Sequence, residues 1–204
     1  MAKGSTSVRR TGGFSPSDST FSGKIGNVRS LKTIKEPQVY KEVGKAISRY
    51  ESALGIRQKE IKLADLPSNV NGVHATSADG RSEGIFLNSK VFNKTKKEIE
   101  ARTRNAYESG WSTVTNKPIA HTVTHELAHA TWNNHLKGDK YEKAGVEIKE
   151  LYKKWSGDSN KKGYGEYARS NVNEFFAETV TKAVHGVSDD YTKAVKGIIK
   201  KHNL

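Results

Sequence analysis

The residues best suited to chemistry are His125-Glu126-Leu127-Ala128-His129 and, further downstream, Glu174. Residues four apart on a helix stand one turn above each other on one face, so imidazoles at 125 and 129 can reach a single ion. Glu126 is one position on and turned by about 100°, so it flanks that ion without being forced to ligate it. From there its carboxylate can take a proton from a water on the ion, and a zinc ion would lower that water's pKa towards ~7. The competing explanation is a solvated helix carrying two ordinary histidines. Leu127, Ala128 and Ala130 argue against it, because they make the helix apolar around the imidazoles, where unpartnered histidines are costly. The chain contains no cysteine, which excludes disulfides and thiolate ligation and leaves His, Asp and Glu to hold any metal.

Two histidines fall one short of the three protein ligands of a usual catalytic zinc site. The third candidate lies in Asn171-Val172-Asn173-Glu174-Phe175-Phe176-Ala177-Glu178. Glu174 and Glu178 share a helical face, with Phe175, Phe176 and Val180 to anchor it. Asn171 followed three residues later by Glu also reads as a capping box. That explains Glu174 but not Glu178, which sits one turn deeper where a carboxylate needs a cation or a donor. A ligand Glu174 with Glu178 hydrogen-bonded to a ligand histidine accounts for both, and capping and ligation are compatible. Two histidines and one carboxylate favour zinc among the divalent ions.

Other histidines are weaker candidates. His121 precedes His125 by one turn and offers an alternative pair, but without an interleaved glutamate. His185 could support the site, yet fits better at a helix end beside Gly186, where the helix dipole favours it. His74, His135 and His202 read as structural or exposed.

These residues need helices to carry them. Residues 118 to about 135 have Pro at the first turn and apolar Ile119, Val123, Leu127 and Ala130 at helical spacing. Further helices read over 141–155, 171–185 and 189–201, with a glycine-containing loop at 157–165. Upstream, Pro37 opens a helix through Val39, Val43, Ala46, Tyr50 and Leu54 that Gly55 closes, and a charged helix covers 95–109. Between those two lie strand-like runs at 61–66, 70–75 and 85–92, separated by Pro67, Asn71-Gly72 and Asp79-Gly80. A few short strands followed by helices predict an α+β domain over 36–204.

Residues 1–35 lack hydrophobic periodicity and carry seven Lys or Arg against Asp18 alone, about half of the +13 net charge. They read as a disordered or partner-ordered tail. Such a tail either keeps the protein soluble or docks it on an acidic surface, whether nucleic acid, anionic lipid or a virion component. No nucleic-acid recognition motif accompanies the charge. No apolar stretch approaches the ~18 residues of a membrane span, and no apolar run follows the basic N-terminal residues as a secretory signal requires. The expected location is the cytoplasm, a virion, or outside the cell by a non-classical route.

Tyr167-Ala168-Arg169-Ser170 leading into the Glu174–Glu178 segment, after His125–Ala130, resembles the lethal factor-like zinc metallopeptidases, gluzincin-type enzymes typified by the catalytic domain of anthrax lethal factor. The resemblance covers about residues 118–186. It implies a zincin-like fold, with a small N-terminal sheet ending in an edge strand and a helical C-terminal part. It also implies zinc ligands His125, His129 and Glu174, Glu126 as base, Tyr167 facing the reacting carbonyl, and Glu178 supporting a ligand histidine. The 84–92 run looks like the edge strand that lies beside substrate. Two features differ from the pattern. Ala130-Thr131-Trp132 stands where many zincins place an acidic residue, and the toxin's accessory domains are absent. Arg169 either pairs with a site carboxylate or is solvated, and Tyr167 could instead simply pack in its glycine-rich loop. The implied activity is zinc-dependent endopeptidase action on a polypeptide, as in compact toxin- and phage-encoded relatives. The alternative is a virion- or particle-associated structural protein that keeps the fold and docks through its basic tail.

Overall fold

The computed structural model describes residues 9–11, 25–57, 60–76, 82–113, 115–134, 139–159 and 163–204. Its class is α+β. Strands β1 (Arg9–Thr11), β2 (Gly26–Ser30), β3 (Ile61–Asp65), β4 (Gly72–Thr76) and β5 (Ser82–Asn88) form one mixed sheet in the order β1-β4-β5-β3-β2. β3 and β5 run parallel, and the other neighbours are antiparallel. Side chains alternate across a strand, and the two sheet faces follow that period. Ile61, Leu63, Ile85 and Leu87 enter the main core, while Val73, Ala75 and Phe86 form a smaller cluster with Ala64, Leu66 and Val70.

Seven helices complete the described structure. They are α1 (Pro37–Leu54), α2 (Ser89–Phe92), α3 (Lys96–Glu108), α4 (Pro118–Asn134), α5 (Asp139–Gly157), α6 (Val172–Val184) and α7 (Asp190–His202). Their ends follow local chemistry. Pro37 starts α1, and Gly55 ends it in the left-handed region at φ 70°. Capping boxes of Thr95 with Glu98 and Asp189 with Thr192 start α3 and α7. Helices α1, α4, α6 and α7 share the main core with the sheet, and Trp155, Ala168, Phe175 and Tyr191 make a third cluster beside α6. No helix among the described residues is long and apolar enough to cross a membrane.

Two expectations change. The 84–92 run is neither one strand nor an edge. β5 ends at Asn88, whose side chain accepts from Lys90 N to open α2 and donates to Pro67 O at 2.9 Å and Val70 O at 2.6 Å. β5 lies between β4 and β3, so both of its edges are already paired. Nor does order begin at residue 36. β1 and β2 both pair within the sheet, and Leu31–Thr33 form a 3-10 turn with Ser30 as its cap. The rest of the expected tail, residues 1–8 and 12–24, lies outside the described residues, as does His135.

Candidate metal centre

Helix α4 is buried along nearly its whole length from His121 to Trp132. Small residues and threonines let its neighbours approach closely, and specific contacts fix its position. Tyr50 of α1 is 2.6 Å from Thr131 Oγ1 and donates to Leu127 O at 3.3 Å. Trp132 packs against Phe176 of α6 with ring centroids 5.1 Å apart and planes tilted by 42°. These contacts set the height and rotation of α4 relative to α6, and so place the imidazoles against the carboxylates. At the start of α6, Asn171 Oδ1 accepts from Asn173 N at 2.9 Å and Glu174 N at 3.0 Å. Asn171 therefore caps the helix while the Glu174 carboxylate turns to the histidines.

His125 Nε2, His129 Nε2 and Glu174 Oε2 form a triangle with every side 3.1 Å. All three residues are buried. Donor atoms ~2.0–2.1 Å from a tetrahedral cation stand about 3.3 Å apart, so this donor set fits a small divalent ion with little adjustment. Glu178 Oε1 lies 2.8 Å from His125 Nδ1 and 3.3 Å from His121 Nε2. Accepting the Nδ1 proton fixes the His125 tautomer and leaves Nε2 to face an ion. By contrast, His129 Nδ1 is buried with no hydrogen-bond partner among the described residues. This matches the Ala130-Thr131-Trp132 segment, which has no acidic residue to offer it.

Of these four groups, His125 is the one that holds a proton most firmly. Burial disfavours the His125 imidazolium, but the hydrogen bonds and charges of Glu174 and Glu178 outweigh it and raise the pKa well above the usual 6.5. For His129 burial prevails over Glu174, and its pKa falls. Burial pushes Glu174 and Glu178 towards the neutral acid. The opposing histidine charges and hydrogen bonds are stronger, and both stay ionised well below the ordinary carboxylate range.

His121, His125 and Glu178 form a second group close enough to share an ion. It engages His125 through Nδ1, so it reads as the layer that orients His125 towards the first group. Sequence spacing alone presents His121 only as a rival partner for His125. Its true neighbour is Glu178, a contact between helices that no spacing within one helix could reveal.

Glu126 is buried against the start of β4. A Cβ at Gly72 would stand 3.0 Å from Glu126 Cγ and 3.3 Å from Oε1. By sequence Asn71-Gly72 breaks a strand, yet Gly72 is the first residue of β4. A glycine there lets the strand and this carboxylate approach. Tyr167 comes from the 3-10 turn Glu166–Arg169. That turn is stitched to the segment after α3 by Glu166 N to Gly110 O at 3.0 Å and Tyr167 N to Trp111 O at 2.9 Å. A Cβ at Gly165 would lie 2.3 Å from the Ser112 carbonyl carbon, so glycine is required for this approach. The Tyr167 ring sits 5.8 Å from the His125 ring at 31°, over the histidine cluster.

Other residues fall outside the cluster. Arg169 pairs with Glu166 at 3.4 Å on the surface, which decides for the solvated alternative. His185 caps the end of α6, with Nε2 3.3 Å from Thr124 Oγ1. His74 joins β4 to β5 through Ser82 Oγ at 2.9 Å, and His202 meets Glu147 at 2.8 Å.

Fold and site together define an α+β protein with a buried two-histidine, one-glutamate cluster able to hold a metal ion. No protein-family model, no curated protein and no solved structure matches the chain.

Proposed function

We propose that the protein is a zinc-dependent endopeptidase of the zincin type, with His125, His129 and Glu174 holding the metal. The observation that carries this reading is the 3.1 Å triangle of Nε2, Nε2 and Oε2, with a further carboxylate, Glu126, next to His125 in the chain and packed against β4. Bound zinc would polarise a scissile carbonyl and lower the pKa of an attacking water. Glu126 then takes the water's proton and delivers it to the leaving amine. Its burial between α4 and β4 keeps the carboxylate in one place for both transfers. Glu178 keeps the Nδ1 proton on His125 throughout, so the ring stays oriented. Tyr167, over the His125 ring, supplies a hydroxyl to the developing oxyanion.

The discriminating experiment is Glu126→Gln, read by metal analysis and by digestion of a peptide library with and without chelator. The expected variant keeps about one zinc per chain and loses cleavage by at least ~10²-fold, the usual weight of a general base. Cleavage at the wild-type rate would exclude Glu126 as the base.

A further inference from the structure

An extended peptide can bind a protein by adding a strand to a free sheet edge, which leaves the question of which edge here serves the metal centre. The two edges of β5 are taken by β4 and β3, and those of β3 by β5 and β2. The outer edge of β2 lies three strand spacings from β4, roughly 14 Å away. The strand that reaches the site is β4, since its first residue, Gly72, abuts Glu126. The outer edge of β4 is already in use. β1 pairs with it antiparallel, Arg9 opposite Thr76, Arg10 opposite Ala75 and Thr11 opposite His74. His74 is two residues from Gly72, so this register ends ~7 Å along the strand from the residue that touches Glu126.

We propose that the outer edge of β4 is the surface on which an extended polypeptide pairs beside the metal centre, and that residues 9–11 of this chain occupy it in cis as a competing strand. This rests on the endopeptidase reading above, and it names the surface that reading needs. The cis strand is built to yield. It has three residues, at the short end for a strand, so few ladder hydrogen bonds hold it to β4. Residues 12–25 connect it to β2, and a short tether gives a local concentration in the millimolar range. A longer strand, able to pair along the whole of residues 72–76, displaces it. The consequence is a raised KM, with kcat unchanged once substrate is bound.

The test uses the full chain with Arg10→Pro and, separately, Thr11→Pro. Successive backbone N–H groups point to opposite sides of a strand, so one of these prolines removes a donor to β4. A fluorescent peptide of residues 5–16 is titrated against wild type and both variants. One variant should bind it at least fivefold more tightly than wild type, and KM for an extended peptide substrate should fall by a similar factor at constant kcat. Peptide binding equal to wild type in both variants overturns the proposal. Zinc content and wild-type cleavage report separately on the underlying reading. A variant that gains peptide affinity in a chain that cleaves nothing keeps β4 as a strand-docking edge and removes the peptidase.

Discussion

Glu174 and Glu178 are both buried, both ionised and one helical turn apart, yet they do different work. Glu174 Oε2 stands 3.1 Å from the Nε2 of each of two histidines, whereas Glu178 Oε1 takes the outer nitrogen of His125. Removing a donor atom from an ion costs more than removing the group that orients a donor, and the orienting loss is usually 10–100-fold in affinity. Zinc titration of Glu178→Ala should therefore show a fall within that range. Glu174→Ala should fall well beyond it, and equal affinities in the two variants would refute the ligand assignment. Proton competition adds a sign. Glu174 and Glu178 together hold a proton on His125 above its usual pKa, so metal must displace it, and wild-type affinity should drop as pH falls.

The loop that carries Tyr167 can be tested apart from the metal. Gly165 lies so close to the 111–113 backbone that a Cβ would meet Trp111 O at 2.4 Å and Thr113 N at 2.6 Å. Trp111 O accepts from Tyr167 N and its neighbour Gly110 O accepts from Glu166 N, so this backbone is held against the turn and cannot move aside. Gly165→Ala should detach the turn at a cost of about 1–3 kcal/mol, typical of overpacking. It should also lower kcat while zinc content stays at the wild-type level. Thermal melts and metal analysis of one preparation check both. Loss of zinc would show that the loop also holds α6 in register.

Acid stability belongs to the packing of α4 against α6. His185 closes α6 over Thr124, and its pKa is lowered to about 4 by burial first, then by the charges of His121, Arg49 and Lys117. A folded pKa below the unfolded value near 6.5 means that the unfolded chain binds the proton more readily. The neutral ring is therefore fully compatible with folding above pH 6.5, and stability is lost as pH falls from there towards 4. Solvent screening at this partly exposed position leaves an effect on the order of 1 kcal/mol between pH 7 and pH 5. Denaturant unfolding at those two pH values should show a smaller difference for His185→Gln than for wild type. An unchanged difference would place the acid sensitivity elsewhere.

Helix ends and the candidate donor residues could be read from the chain because both are local. Pro37 and Gly55 bracket α1, and Asn171 caps α6, through bonds that span two to four residues. The four-residue spacing of His125 and His129 fixes a shared face before any tertiary contact forms. What spacing could not supply was everything between elements. The partnership of His121 with Glu178 joins two helices. The tight fit at Gly72 and the need for glycine at 165 come from a side chain and a backbone far away in sequence. The expectation that 84–92 is an edge strand fails for the same reason. Alternation and apolar content identify a strand, but which neighbours take its edges is set by pairing across the sheet, and there β5 is enclosed while β4 faces Arg9–Thr11.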